Sequence, residues 1–148
     1  MIPLAGGAPR PIHVTDASEE SLRRFAKSIV SEHSNPTLQE AVVQAVGLTA
    51  PPWQLDSQAK YGVVARGEAA LYLRLPFPIT SEKRQNTWDH AAGVIMVEEA
   101  GGRVTDMYGQ PLDFSFGAKL VNNQGIIASN GLIHEAVLAA VAQIAKES

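Results

Sequence analysis

The clearest periodicity lies in residues 132–145, where Ile133, Val137, Ala140, Val141 and Ile144 recur at helical spacing. That pattern predicts a helix with one apolar face. Residues 37–46 repeat the spacing with Leu38, Ala41, Val42, Ala45 and Val46, and Gly47 supplies a stop. A third helix is expected over residues 89–100, with a stripe of Ala92, Ile95, Met96 and Glu99, closed by Gly101-Gly102. A fourth runs from a cap at Asp56 or Ser57 to Arg66, with Gly67 after it. The period changes in residues 69–75. Leu71, Leu73 and Leu75 alternate there with Tyr72 and Arg74, which predicts a strand with Arg74 on one face. Shorter strands are expected at 12–15, 104–105 and 125–128. Residues 18–24 read as a helical turn with Ser18 and Ser21 as candidate caps, and residues 25–30 are ambiguous. Breaks fall at 31–36, at Pro51-Pro52, at Pro76-Phe77-Pro78, through the polar stretch 79–87 and at the turn Tyr108-Gly109. Residues 1–11, rich in Gly and Pro, read as loop. Helices alternating with short strands predict an α/β fold with a layered sheet. The sequence carries no internal repeat and no low-complexity tract.

Composition narrows the class. A chain of 148 residues with 45% hydrophobic residues is expected to fold as one domain over residues 1–148 with its own core. No run of about 18 apolar residues is present, so no membrane helix is expected. Residues 1–11 lack the basic and apolar regions of a signal peptide. The absence of cysteine excludes disulfides and thiolate metal sites and fits a cytoplasmic protein. A net charge of −3 argues against binding a nucleic acid polymer, while leaving room for a local basic pocket for a small anion.

The candidate chemistry centres on Trp88-Asp89-His90-Ala91-Ala92-Gly93. Asp89 stands where a helix is expected to start. It is either a helix N-cap or a hard oxygen ligand for a cation such as Mg2+, with the unpaired N–H groups of the helix end behind it. Lys60 is either a solvated helix residue or a point charge for a phosphate. Arg74 is either a surface strand position or a planar fork for a phosphate. Ser57 is either a cap or a small donor. His33, in Ser31-Glu32-His33-Ser34-Asn35, reads on its own as a surface loop histidine. His90 is either a helix-surface residue or the group that orients the Asp89 carboxylate.

The W-D-x-A-x-G run, followed by an apolar helix ending in Glu99-Ala100-Gly101-Gly102, resembles a signature of the inositol monophosphatase superfamily of Mg2+-dependent, lithium-sensitive phosphatases. Further segments are similar to the 3'(2'),5'-bisphosphate nucleotidases, particularly the fungal type. They are Leu55-Asp56-Ser57-Gln58-Ala59-Lys60-Tyr61, Tyr72-Leu73-Arg74-Leu75, Pro111-Leu112-Asp113-Phe114 and Gly125-Ile126-Ile127-Ala128-Ser129. The resemblance covers most of residues 25–145. It implies hydrolysis of 3'-phosphoadenosine 5'-phosphate to AMP and phosphate, a reaction of sulfur assimilation and nucleotide salvage. It also implies that Asp89 is a catalytic metal ligand beside the scissile phosphate, and that His33, Ser57, Lys60 and Arg74 bind the nucleotide.

The same resemblance implies two or three Mg2+ ions that activate water and neutralise the phosphate. Most of their ligands belong to an upstream Glu-Glu segment and a D-P-[IL]-D-G-T motif; the motif does not occur in these 148 residues, and neither Glu19-Glu20 nor Glu98-Glu99 is followed by it. The chain is therefore expected to be the C-terminal part of a longer enzyme. It is expected to be inactive alone, and to meet its missing N-terminal half, or a second copy, through an exposed apolar face. Two alternatives stay open. One is an inositol phosphate phosphatase, for which D-S-Q-A-K-Y is not expected. The other is a truncated domain that binds nucleotide without catalysis.

Overall fold

The computed structural model describes residues 11–15, 24–27, 36–48, 50–55, 59–75 and 85–146. Its centre is a five-stranded sheet. The strands are β1 (Phe25–Lys27), β2 (Trp53–Gln54), β3 (Leu71–Arg74), β4 (Arg103–Thr105) and β5 (Ile126–Ser129), in the order β2-β1-β3-β5-β4. β1 runs parallel to β2 and β3, whereas β5 runs antiparallel to β3 and β4. The sheet is therefore mixed. Four α-helices cover it: α1 (Pro36–Ala45), α2 (Ala59–Ala65), α3 (Ala91–Glu99) and α4 (His134–Lys146).

The alternation in β3 sorts its side chains between two cores. Successive residues of a strand point to opposite faces. Leu71 and Leu73, with Leu75 beyond the strand end, pack with Val42 of α1 and Val137 and Val141 of α4. Tyr72 goes the other way and packs with Tyr61 and Val64 of α2 and Val94 and Val97 of α3. β5 divides likewise, with Ile127 on the first face and Ile126 and Ala128 on the second. The result is the layered α/β arrangement expected from the sequence, with α1 and α4 on one side and α2 and α3 on the other.

Several boundaries differ from the sequence reading. Residues 12–15 form no strand; the Val14 N–H instead donates to the Ala100 carbonyl at 3.0 Å. The ambiguous stretch resolves as β1 over its described residues, and β2 was not expected at all. The remaining candidate caps, Ser18, Ser21, Asp56 and Ser57, lie outside the described residues. On α3 the expected stripe holds only at Met96, which is partly buried against the core. Ile95 is 63% exposed, and Ala92 and Glu99 are exposed too, while Gly93, Val94, Val97 and Ala100 are buried. Apolar residues surround this short helix, so periodicity alone does not choose the buried face. Packing against Tyr61 does. A Cβ on Gly93 would sit 2.3 Å from Tyr61 Cδ2, so only glycine lets α3 approach the ring this closely.

The end of α3 matches the expectation. Gly101, at φ 95°, donates to the Glu98 carbonyl, and the Gly102 N–H donates to the Val97 carbonyl at 2.9 Å. These are the two bonds of a Schellman stop. β5 joins α4 through a buried polar chain. Gly131 N–H donates to Ser129 Oγ, whose hydroxyl lies 2.7 Å from His134 Nδ1. On the far side, His134 Nε2 lies 2.8 Å from Thr105 Oγ1, and that hydroxyl donates to the Asp106 carbonyl. With the Thr105 proton committed there, the ring must carry its own proton on Nε2 and accept from Ser129 on Nδ1.

Candidate functional site

Three elements meet on one side of the sheet, and each carries one of the charged residues singled out from the sequence. α2 brings Lys60. The end of β3 brings Arg74. A 3-10 turn, Thr87–Asp89, brings Asp89 just before α3. Between them lie three buried rings, those of Tyr61, Tyr72 and His90. The Tyr61 and Tyr72 rings meet edge to face at 4.9 Å, and Tyr61 and His90 at 5.8 Å. The Tyr61 O–H donates to His90 Nδ1 at 2.6 Å. His90 Nε2 donates to Gln85 Oε1 at 3.3 Å, so the ring is neutral with its proton on Nε2.

Lys60 is not the solvated helix residue of one sequence reading. It is 2% exposed, and its Nζ donates to the Leu55 carbonyl at 3.4 Å and lies 5.4 Å from the centroid of the Tyr72 ring. Arg74 is half-buried rather than a surface strand position; its side chain is hydrogen-bonded to Tyr72, and its buried Nε has no hydrogen-bond partner among the described residues. Leaving a charged donor buried and unpaired is costly, so this nitrogen points to an anion as its missing partner.

Asp89 is not the cap of α3. The helix begins at Ala91, with His90 at the N-cap and no side-chain capping bond. The turn before it is held by the backbone, through Asp89 N–H to Asn86 and His90 N–H to Thr87, each at 3.2 Å. The half-buried Asp89 carboxylate accepts from Asn86 Nδ2 at 3.3 Å. Nor is His90 a surface residue. It is fully buried and bonded to Tyr61 and Gln85, so it does not orient the carboxylate by a direct hydrogen bond.

The charged groups act on the same buried trio. Burial, then the positive charge of Arg74, lowers the His90 pKa from 6.5 to about 4, with Lys60 adding to the effect and Asp89 opposing it. Burial raises the Tyr72 phenol, and the adjacent Arg74 offsets part of the rise. Tyr61 is raised well above 10.0, again chiefly by burial. The site therefore holds two cations and one carboxylate around rings that stay neutral at physiological pH. Such a set suits a phosphate. It does not suit a self-sufficient Mg2+ centre. Among the described residues, no group of three or more His, Cys, Asp or Glu converges. Asp106 is occupied by the Tyr108 and Gln110 amides and by Asn123, and Asp113 by Ser115. Ser57 and His33 lie outside the described residues.

The sequence reading gave Tyr61 and Tyr72 no role. Their signal was present in the quoted runs, where Tyr61 follows Lys60 and Tyr72 precedes Arg74 by two positions. That the two rings share a core with His90 is a tertiary fact.

The pattern of the inositol monophosphatase family matches residues 5–146. The chain belongs to the inositol monophosphatase family. It is 43% identical over 136 residues to the 3'(2'),5'-bisphosphate nucleotidase of Schizosaccharomyces pombe, covering 92% of this chain and 38% of that protein. It is 41% identical over 147 residues to the 3'(2'),5'-bisphosphate nucleotidase of Emericella nidulans, covering 97% of this chain and 41% of that protein. Among solved structures, the inositol monophosphatase of Anabaena superposes with a TM-score of 0.65 at 29% identity, over 90% of this chain and 48% of that one. The IMPase of Thermotoga maritima superposes with a TM-score of 0.64 at 25% identity, over 92% of this chain and 46% of that one. The mixed sheet and its helices correspond to the C-terminal part of the family fold. The chain thus spans about two fifths of the length of the two nucleotidases and just under half of the two inositol monophosphatases. No helix among the described residues is long and apolar enough to cross a membrane.

Proposed function

We propose that this chain is the nucleotide-holding part of a Mg2+-dependent phosphatase of the 3'(2'),5'-bisphosphate nucleotidase type, which converts 3'-phosphoadenosine 5'-phosphate to AMP and phosphate. The observation that carries the reading is the convergence of Lys60, Arg74 and Asp89 on one buried trio of rings, with Arg74 Nε left without a partner among the described residues. A phosphate oxygen supplies the acceptor that this nitrogen lacks. The arginine gives a planar fork and the lysine a point charge. Ser57 and His33 add further contacts to the nucleotide, a role resting on sequence alone. Asp89 contributes one ligand to the metal centre, and the remaining ligands come from outside the described residues. No hydrolytic step is assigned to the present donor set.

The D-S-Q-A-K-Y and Y-L-R-L runs favour this substrate over an inositol phosphate. So do the identities, 43% and 41% to the two nucleotidases against 29% and 25% to the two inositol monophosphatases. Calorimetric titration of the chain with 3'-phosphoadenosine 5'-phosphate tests the reading. Saturable binding is expected, weakened roughly tenfold or more by Arg74→Ala, as the loss of a charge-assisted hydrogen bond requires. Absence of binding, or binding indifferent to Arg74, refutes it.

A further inference from the structure

We propose that the Tyr61–His90 hydrogen bond is a positioning link that holds the Asp89 turn in register with Lys60 and Arg74, so that the two cations meet a phosphate of the nucleotide while the Asp89 carboxylate stands at its metal-ligand position. The inference rests on the functional reading above, and it assigns work to two residues that do not themselves contact the nucleotide. Tyr61 follows Lys60 in α2, and His90 follows Asp89 at the start of α3. Their side chains are 1% and 0% exposed and meet at 2.6 Å. No water competes for such a bond, so its loss is felt in full.

The Tyr61 ring is also the place where three elements touch. Its edge meets Tyr72 of β3, which lies two residues before Arg74 and faces the Lys60 ammonium. Its other side fills the space above Gly93 in α3. The rings fix how closely α2, β3 and α3 approach. The phenol O–H makes a directional bond from that contact to the residue beside Asp89. His90 is held from behind by the Gln85 side chain, and the Gln85 backbone carbonyl accepts from the Leu120 N–H at 3.0 Å. The turn is therefore braced on both sides, and the brace that reaches the cations is Tyr61.

The test is calorimetric titration of the chain with 3'-phosphoadenosine 5'-phosphate, using wild type, Arg74→Ala, Tyr61→Phe, His90→Gln and His90→Asn. Each is first shown to be folded by thermal unfolding. Tyr61→Phe keeps the ring and loses the O–H. His90→Gln keeps a donor toward Gln85 and loses the acceptor facing Tyr61. His90→Asn keeps an acceptor in the place of Nδ1. We expect Tyr61→Phe and His90→Gln to weaken binding about fivefold to tenfold, and His90→Asn to recover most of that loss. A wild-type chain that does not bind, or that ignores Arg74→Ala, overturns the functional reading. Binding that Arg74→Ala weakens, but Tyr61→Phe and His90→Gln leave unchanged, overturns the positioning link alone. A ligand-free measurement covers the remaining case. Amide exchange at Asp89 and His90 should accelerate in Tyr61→Phe relative to α4, and unchanged exchange overturns the link whether or not nucleotide binds.

Discussion

Acidification should destabilise this chain through His134, and the size of the effect follows from its surroundings. The ring is fully buried between Ser129 and Thr105 and accepts a hydrogen bond on Nδ1, so the folded state holds it neutral. Burial, followed by the positive charge of Arg103, lowers its pKa from 6.5 to about 4, while Glu135 opposes the shift. A folded-state pKa below the unfolded one means that the unfolded chain takes up the proton first. The stabilisation is therefore intact above pH 6.5 and is lost as the pH falls from there toward 4. The full difference corresponds to about 3 kcal/mol, of which about 2 kcal/mol is lost between pH 7 and pH 5. His90 has the same depressed value and adds a similar slope. With the two histidines together, urea unfolding from pH 7 to pH 5 should thus shift the wild-type midpoint by roughly 1 to 4 M. His134→Gln should be less stable at every pH and show about half the wild-type slope. Equal slopes in the two proteins, or a His134 ring that titrates near 6.5 by NMR, would refute the reasoning.

Gly93→Ala should destabilise the fold by about 1–3 kcal/mol or more, because its methyl group meets the Tyr61 ring rather than a movable chain end; a thermal midpoint equal to wild type would contradict this packing. Asp89→Ala should change stability by less than about 0.5 kcal/mol, since Asp89 caps no helix. A loss of about 1 kcal/mol, the usual worth of a cap, would restore the capping role. Phosphate release from 3'-phosphoadenosine 5'-phosphate with Mg2+ should be negligible for this chain alone, because one carboxylate holds Mg2+ weakly. Robust turnover abolished by Asp89→Asn would overturn that account.

Much of the architecture can be read directly from the residues. Period-two alternation located β3, helical spacing located α1 and α4, and the Gly101-Gly102 pair located the end of α3. These signals are local, because backbone geometry acts over a few residues at a time. The family could be read as well, since W-D-x-A-x-G and D-S-Q-A-K-Y are contiguous runs. The charged residues of the site, Lys60, Arg74 and Asp89, could be named one by one for the same reason. Their arrangement could not. Whether Lys60 is solvated or buried, whether Asp89 caps a helix, and which face of α3 turns inward all depend on segments about 15 to 30 positions apart in the chain. Tyr61 makes the point most plainly. In the chain it is an aromatic residue after a lysine; in the fold it is where α2, β3 and α3 close on one another. Periodicity reports which residues leave water, but the partner each one meets is set by close packing, and close packing exists only once the layers have come together.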